Sequence, residues 1–151
     1  MSQSLARILV HAIFSTKDRF AFFRSSDIRR RAHGYLAKVF NECDSPALEV
    51  GGWHDHVHIL CSLGRNHAIA DVIAAAKRSS SVWLKSEGML LGKFQWQVGY
   101  GAFSVSPSQA DKVKEYILRQ EDHHRVRTFQ QEYLDFLKEY NVPYDERYLW
   151  K

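Results

Sequence analysis

Residues 53–60 carry the stretch WHDHVHIL, in which three histidines occupy every second position of a segment with strand character. Alternation at period two places His56 and His58 on one face of a strand and Val57 on the other, facing the core. Two imidazoles side by side on a rigid strand form half of a divalent-metal site. A lone strand histidine is usually structural, so it is the pair, flanked by apolar residues, that favours a metal.

Outward from this strand, hydrophobic periodicity predicts an α+β fold. Strands are expected over 5–15, 47–52, 56–63 and 94–105, and helices over 25–41, 68–85 and 108–140, the last with a break near Thr128. The order β-α-β-β-α-β followed by a helix is ferredoxin-like, or RRM-like, and predicts a four-stranded antiparallel sheet with two helices on one face. The other face must be covered by the C-terminal helix or by a partner chain.

The composition is that of one folded domain, which we place over residues 1–151. Hydrophobic residues make up 45% of the chain and charged residues 25%, which is ordinary for a folded protein. The apolar runs are too short to span a bilayer, and the N-terminus lacks the pattern of a signal peptide. Cys43 and Cys61 form no motif together, so we expect reduced thiols and a cytoplasmic location.

Basic residues are concentrated in two segments, although the net charge is only +4. One segment contains Arg24, Arg29, Arg30, Arg31 and Lys38, and the other contains Lys112, Lys114, Arg119, Arg125 and Arg127. Two solvated helix faces would produce this pattern. The functional interpretation is that the two segments form the two banks of a phosphate-binding groove.

A second chemical signal lies at Tyr116 and Gln120, which are four residues apart and therefore one turn apart on the expected last helix. A Gln carbonyl oxygen is a hard, neutral metal ligand. Two imidazoles and one such oxygen leave positions for water and phosphate oxygens, which suits Mg²⁺ or Mn²⁺. Such a pair alone is common in structural helices, so only its combination with the histidines is informative.

Four segments, taken in chain order, carry a resemblance to a known family. They are HAIFSTKDR at 11–19, DHVH at 55–58, WQVGYGAFS at 96–104 and YILRQEDHH at 116–124. The second is similar to the HUH signature, in which U is a hydrophobic residue, and the fourth to a helix that carries a tyrosine nucleophile and a metal ligand. Together, over nearly the whole chain, they resemble the single-tyrosine HUH transposases of small insertion sequences that move as single-stranded DNA, and the related REP-associated tyrosine transposases.

The resemblance implies a transposase that nicks single-stranded DNA and transfers the strand without a nucleotide cofactor. Tyr116 would attack the scissile phosphate in line, leaving a 5′-phosphotyrosine and a free 3′-OH, while His56, His58 and Gln120 hold Mg²⁺ or Mn²⁺. The implied partners are single-stranded DNA with hairpin ends and a second copy of the chain, in the cytoplasm at the nucleoid. Side chains expected to contact DNA are Lys17, Arg19, Arg29, Arg30, Arg31, His123, His124, Arg125 and Arg127.

Three other interpretations fit parts of the sequence. The pattern His54-x-His56-x-His58 is similar to histidine-triad nucleotide hydrolases, although Asp55 breaks the apolar pattern of that motif. RNA-binding modules share the order of elements, but they need exposed aromatics on the central strands, where this chain has histidines. A domesticated relative that only binds REP-type hairpins would keep the fold, but the four candidate site residues are intact and favour activity.

Overall fold

Four strands form one antiparallel sheet in the computed structural model, which describes residues 3–151. The first two residues of the expected 1–151 domain lie outside the described part. The strands are β1 (Ile8–Ser15), β2 (Ala47–Gly52), β3 (His56–Leu63) and β4 (Gly101–Val105), in the order β2-β3-β1-β4. The helices are α1 (Ser26–Glu42), α2 (Ile69–Lys85), α3 (Ala110–Leu118), α4 (Gln120–His123), α5 (Phe129–Glu139) and α6 (Glu146–Leu149). The predicted α+β class and ferredoxin-like order are confirmed.

One face of the sheet packs against α1 and α2, as predicted. Alternate residues of the central strands form this core with the apolar stripe of each helix; they include Val10, Ala12, Phe14, Val57, Ile59, Leu36, Phe40, Val72 and Ile73. These side chains are at most 8% exposed. Because side chains alternate across a strand, the residues between them, including His56 and His58, point to the opposite face.

The opposite face is covered by the C-terminal helices of the same chain. Ile117 of α3 packs on Leu9 and Leu60 in one cluster, while Phe129 and Tyr133 of α5 pack with other sheet residues in a second cluster. Of the two predicted covers, the C-terminal helix and a partner chain, the structure therefore shows the first. The histidines of β3 lie between α3 and α5, in a closed layer rather than on an open sheet.

The fourth strand is shorter than the expected 94–105. Before Gly101, the chain makes only an isolated bridge, between Trp96 and Thr16. The ammonium group of Lys77 on α2 donates to the backbone carbonyls of Gln97 and Gly99 at 2.9 and 2.7 Å. A side chain thus satisfies carbonyls that a longer β4 would offer to a neighbouring strand, which the hydrophobic pattern does not reveal.

The expected last helix is divided into three. The predicted break at Thr128 is confirmed, because its hydroxyl accepts from the amide of Gln131 and forms a capping box at the start of α5. A second break at Arg119, between α3 and α4, is not predicted by the sequence pattern. Across residues 3–151, every helix is too short or too polar to cross a membrane.

Candidate active site

The two histidines of the central strand β3 lie side by side and are completely buried. Val57 between them projects into the opposite core, as the alternation predicts. A neighbouring side chain orients each ring: the Asp55 carboxylate accepts from Nδ1 of His56 at 2.8 Å, and Nδ1 of His58 lies 2.8 Å from Nε2 of His11 on β1. Both Nε2 atoms are therefore directed towards α4 and α5.

Tyr116 in the last turn of α3 and Gln120 at the start of α4 reach the same place. Gln120 Oε1 lies 2.9 Å from His56 Nε2, and the ring centroids of Tyr116 and His58 are 5.8 Å apart. The break at Arg119 does not separate the pair, because backbone hydrogen bonds still complete a helical turn there. The four side chains predicted for catalysis and metal binding thus meet within one chain, although their roles stay predictions.

The side chain at the centre of this group is Glu132 of α5, which the sequence patterns did not predict as a site residue. It is completely buried. Its Oε1 lies 3.0 Å from His58 Nε2 and 3.5 Å from His56 Nε2. Its Oε2 accepts hydrogen bonds from the hydroxyl of Tyr116 and, at 3.2 Å, from Nε2 of Gln120. One carboxylate therefore joins all four predicted side chains.

The sequence of α5 does carry a signal for this residue. Phe129, Tyr133 and Leu137 form the buried stripe of the helix, and Glu132 occupies a position on that stripe. A carboxylate is rarely buried unless it is paired or functional. An acidic residue at an apolar position of an amphipathic helix therefore marks a candidate site residue, without indicating its partners.

His123 and His124, which are adjacent in the sequence after α3, have different surroundings. The side chain of His124 is only 4% exposed and lies inside the site, with Nε2 at 3.1 Å from Gln120 Oε1 and 3.3 Å from Glu132 Oε1. Its ring also lines a surface pocket beside Trp53 and Arg125, so contact of His124 with DNA stays a prediction. His123 is half-buried and stacks on the Tyr116 ring at 4.5 Å between centroids.

Burial and hydrogen bonding shift the pKa values of the site residues in different directions. Burial opposes charge on His56, but hydrogen bonds to Asp55 and Glu132 outweigh it and raise the pKa to about 9. Burial lowers the pKa of His58 despite the nearby carboxylate. Burial, together with the charge of Glu132, raises the pKa of the Tyr116 phenol above its ordinary range. Burial opposes ionisation of Glu132, but the surrounding histidines hold its pKa far below the usual range.

The basic residues of α1 lie on the wrong side of the sheet for a groove over this site. Arg30 pairs with Asp27 in its own helix at 3.0 Å, and Arg31 pairs with Glu87 after α2 at 2.9 Å. Because α1 packs on the face opposite the histidines, Arg30 and Arg31 lie away from this site, and a groove between the two basic segments stays a prediction. Arg29 lies at the edge, with its guanidinium 4.7 Å from the centre of the Trp53 ring.

The other residues predicted to contact DNA lie on the same side of the sheet as the histidines or at the edge of the site. Arg127 Nη2 is 3.5 Å from the Tyr116 hydroxyl. Arg125 is exposed and pairs weakly with acidic residues of α4. Lys17 is exposed in the turn after β1, and Arg19 in that turn donates to the Trp150 carbonyl at 3.3 Å. Contact of any of them with DNA stays a prediction.

A groove leads to Tyr116 between β4, α3 and α5. Its volume is about 460 Å³, and its polar walls include Ser104, Ser106, Gln109, Lys112, Tyr116, Arg127 and Tyr140, together with the carboxylates of Asp135 and Glu139. Hydroxyl, amide and cationic groups of this kind are what proteins use to hold a phosphate backbone. The groove therefore offers a route by which a polar, anionic chain could reach the tyrosine.

Two of the alternative interpretations do not agree with this geometry. His54 stacks on Trp53 at 4.1 Å between ring centroids, on the loop before β3, and does not join His56 and His58. A histidine-triad site is therefore not assembled. The sheet face that RNA-binding modules use is covered by α3 and α5, so that interpretation fails as well.

The donor groups in the site fit a divalent metal ion. Nitrogens of His56 and His58 and a carboxylate oxygen of Glu132 lie within 4.8 Å of one another, and all three residues are buried. Imidazole and carboxylate are ordinary ligands of divalent transition metals, and Gln120 adds an amide oxygen. The buried group of His56, His58 and Glu132 could therefore bind a metal ion, and Gln120 as a further ligand stays a prediction.

Comparison with known proteins gives a family model and a set of similar folds. The model for IS200-like transposases matches residues 4–120. No curated protein matches the chain. A candidate transposase from Deinococcus radiodurans R1 is similar in structure, with a TM-score of 0.61 and 20% identity over 80% of this chain and 98% of the other. A REP-associated tyrosine transposase bound to a REP hairpin has a TM-score of 0.59 and 12% identity over 82% of this chain and 74% of the other.

At these identities the two structures show a shared fold. The family match ends at Gln120. It includes His56, His58 and Tyr116, whereas α5, with Glu132, lies beyond it.

Proposed function

The chain belongs to the IS200-like transposase family, and on that premise we propose that it cuts and rejoins single-stranded DNA through a covalent bond to Tyr116. One observation carries the proposal: the Tyr116 hydroxyl and three candidate metal ligands meet at a single buried carboxylate, Glu132. A nucleophile and a metal site at such close quarters are what phosphoryl transfer to a side chain needs.

In the proposed reaction, the Tyr116 oxygen attacks phosphorus while the bond from phosphorus to the 3′ oxygen breaks. The phenol proton is released and the leaving 3′ oxygen gains one, so the products are a 5′-phosphotyrosine and a 3′-OH. The covalent link keeps the energy of the phosphodiester, and a second 3′-OH can reverse the step without ATP. When that 3′-OH belongs to a different DNA strand, the same reversal would join the bound DNA segment to the new strand.

The surroundings of Tyr116 explain why a cation is needed. Burial and the Glu132 carboxylate raise the pKa of the phenol, so the attacking phenolate is disfavoured by the protein alone. A divalent cation would stabilise the negative charge of the phenolate and of the scissile phosphate. Its proposed ligands are His56, His58, Gln120 and Glu132. The hydrogen bond that His56 donates to Asp55, and the one between His58 and His11, keep the two histidine rings aligned for that role.

The proposed substrate is single-stranded DNA with a hairpin end. The groove beside Tyr116 offers hydroxyl groups and the cations Lys112 and Arg127 to a phosphate backbone, beside the acidic Asp135 and Glu139, and a structural neighbour is a tyrosine transposase bound to a REP hairpin. Single-stranded DNA can bend its scissile phosphate into a narrow groove more readily than a duplex. A role in hairpin binding without cleavage is the alternative, and it predicts the same complex without a covalent product.

One chain supplies the whole proposed site. Tyr116 and Gln120 reach His58 and His56 of their own chain, so we propose that the tyrosine acts in cis. The homodimer stays a prediction, as does association with the nucleoid, and in such a dimer each subunit would hold its own complete site.

The proposal is tested by incubating the protein with end-labelled single-stranded DNA from the flanks of its own gene and Mn²⁺, followed by a denaturing gel. We expect a covalent protein–DNA band that disappears with Tyr116→Phe, while DNA binding by that variant is retained because only the hydroxyl is removed. Tyr140→Phe, which removes a hydroxyl from the same groove, is the matched control and should still form the band.

Two results would overturn the proposal. A wild-type protein that binds the hairpin tightly but forms no covalent band with any divalent metal would be a binding protein only. A Tyr116→Phe variant that cuts at the wild-type rate would show that another nucleophile is used.

A further inference from the structure

We propose that Arg127 is a catalytic residue, whose guanidinium holds the scissile phosphate beside the Tyr116 oxygen, and that Asp135 positions this guanidinium. The inference rests on the proposed function, because it names a further residue for the same cleavage. It goes beyond a general contact with the DNA backbone, which would strengthen binding without speeding the reaction.

Arg127 is the cation of the groove that reaches the proposed nucleophile. Its Nη2 lies 3.5 Å from the Tyr116 hydroxyl oxygen, and both residues line the groove. An attacking oxygen and a phosphorus are in position to react when they are about 3–3.5 Å apart. A guanidinium at a similar distance from that oxygen therefore borders the space that the scissile phosphate must occupy.

Main-chain contacts hold Arg127 in this place. Its amide donates to the His123 carbonyl at 3.3 Å, and its own carbonyl lies 2.9 Å from Nδ1 of the buried His124 ring. The next residue, Thr128, forms the capping box at the start of α5. Because the backbone is fixed on both sides of the side chain, the guanidinium is presented to the groove from an ordered turn.

The Asp135 carboxylate fixes the direction of the guanidinium. Arg127 Nη1 donates to Asp135 Oδ2, while Nη2 faces Tyr116. A guanidinium has five N–H donors, so these two contacts leave donors for phosphate oxygens. The side chains of Arg127 and Asp135 are 33% and 63% exposed, and an ion pair with such exposure adds little to stability. Positioning therefore explains the pair better than stabilisation of the fold does.

Negative charge accumulates where the proposed reaction occurs. Glu132 accepts from the Tyr116 hydroxyl, and Asp135 and Glu139 line the groove. A DNA phosphate brought to Tyr116 adds a further negative charge, which these carboxylates repel. Arg127 carries a permanent positive charge, and its planar fork matches the geometry of phosphate oxygens. Its charge therefore offsets this repulsion at the phosphate that reacts.

Arg127 exchanges no proton and forms no covalent bond in the proposed step. The bond from the Tyr116 oxygen to phosphorus forms while the bond from phosphorus to the 3′ oxygen breaks. The phenol releases its proton, and the 3′ oxygen takes one up. The transition state of phosphoryl transfer spreads negative charge over the non-bridging oxygens, and a cationic donor to one of them stabilises it. Arg127 should therefore affect the rate of cleavage as well as DNA affinity.

The test is single-turnover formation of the covalent band at saturating single-stranded DNA, in the assay described above. We expect Arg127→Ala to lower the saturating rate by about 10²–10³-fold, beyond its effect on affinity. Guanidinium chloride at millimolar concentration should raise the rate of this variant and leave that of the wild type unchanged. Arg127→Gln, which keeps a donor but removes the charge, provides the same comparison if the alanine variant does not fold.

Asp135→Asn separates positioning from binding. It removes a negative charge from the groove, so DNA affinity should stay the same or rise. The saturating rate should nevertheless fall about tenfold, because the guanidinium loses its direction, and no further loss should follow in the Arg127→Ala background. Arg147→Ala is the matched control and should cleave at the wild-type rate, since Arg147 forms a similar exposed pair with Asp145, at 2.6 Å and outside the groove.

The phosphate contact can also be measured without cleavage. Each phosphate of the DNA is replaced in turn by a neutral methylphosphonate, and binding is measured in EDTA. We expect one replacement, at the scissile position, to weaken binding by the wild type but not by Arg127→Ala. Coupling of Arg127 to a different phosphate, or to none, would overturn the inference.

The inference and the proposed function can fail separately. A wild type that forms no covalent band with any divalent metal would overturn the proposed function, while methylphosphonate coupling would still report whether Arg127 holds a single phosphate. A wild type that forms the band, with Arg127→Ala reaching the same saturating rate, would overturn the inference alone. A rate loss from Asp135→Asn that is equally large in the Arg127→Ala background would overturn the positioning role of Asp135.

Discussion

The Tyr116 hydroxyl donates a hydrogen bond to the buried carboxylate of Glu132, sixteen residues further along the same chain. The tyrosine belongs to α3 and the carboxylate to α5, so the position of the proposed nucleophile depends on how these two helices pack over the sheet. Glu132 also contacts His58. It therefore connects the nucleophile to the proposed metal site and fixes the distance between them.

Replacing Glu132 with Gln should slow DNA cleavage and leave DNA binding unchanged. Glu132→Gln keeps the size of the side chain but removes the charge and one acceptor, so the Tyr116 hydroxyl loses its fixed position. Misplacement of a reacting group costs about 100-fold in rate. We expect single-turnover cleavage to fall by about that factor while hairpin affinity, measured by fluorescence anisotropy, stays the same. Glu146→Gln, an exposed change on α6 outside the groove, is the control, and equal rates for both variants would contradict the prediction.

The parts of the site that could be predicted from sequence are those set by local periodicity. The period of two in His56-Val57-His58 determines which face each ring takes, and the spacing of four between Tyr116 and Gln120 survives even the break at Arg119. Both patterns hold wherever the segments are placed in the fold.

The parts that could not be predicted depend on how distant segments pack. Nothing local to Glu132 shows that α5 lies across β3, and nothing local to His124 shows that its ring turns inward. The late start of β4 likewise depends on the contact of Lys77 with the chain before Gly101, which periodicity does not encode.

A close approach of β2 to α3 makes Gly51 a sensitive position. A Cβ added there would lie 2.7 Å from Ile117 Cγ2 and closer still to the Ile117 carbonyl oxygen. Gly51→Ala must therefore displace α3, and Tyr116 with it. We expect the free energy of unfolding in urea to fall by about 1–3 kcal/mol and cleavage to slow by more than the loss of folded protein explains.

The matched control for this change is Gly34→Ala in α1. A Cβ at Gly34 meets none of the described residues within 4 Å, and alanine is favoured over glycine in a helix by about 0.5–1 kcal/mol. This variant should be slightly more stable and fully active. Normal cleavage by Gly51→Ala would show that α3 can shift without moving the tyrosine out of place.

The two basic segments should differ in their effect on DNA binding. Arg127 lies beside the Tyr116 hydroxyl and on the wall of the groove, whereas Arg30 is on the helix that covers the opposite face of the sheet. We expect Arg127→Ala to weaken hairpin binding and to lower the slope of log affinity against log salt by about 1. Arg30→Ala should change neither quantity. Equal losses from both variants would mean that DNA also passes over α1.

A half-buried histidine outside the site should make stability depend on pH. Nε2 of His33 on α1 is buried and, within residues 3–151, has no hydrogen-bond partner. Burial, with the positive charge of Arg29 one turn earlier, lowers its pKa from 6.5 to about 4. Between these two values the unfolded chain binds a proton that the folded chain refuses, so the free energy of unfolding falls as pH drops from about 6.5 to about 4.

Replacing this ring with an apolar side chain should remove that dependence. Urea unfolding of the wild type at pH 7 and pH 5 should show a loss that His33→Leu reduces by about 1–2 kcal/mol. His67→Leu, at an exposed position, should retain the wild-type loss, which separates the effect of the half-buried ring from removal of a histidine as such. Because titration of the site histidines is common to all three proteins, only the difference between the variants reports on His33. The same loss in both variants would mean that His33 does not resist protonation in the folded chain.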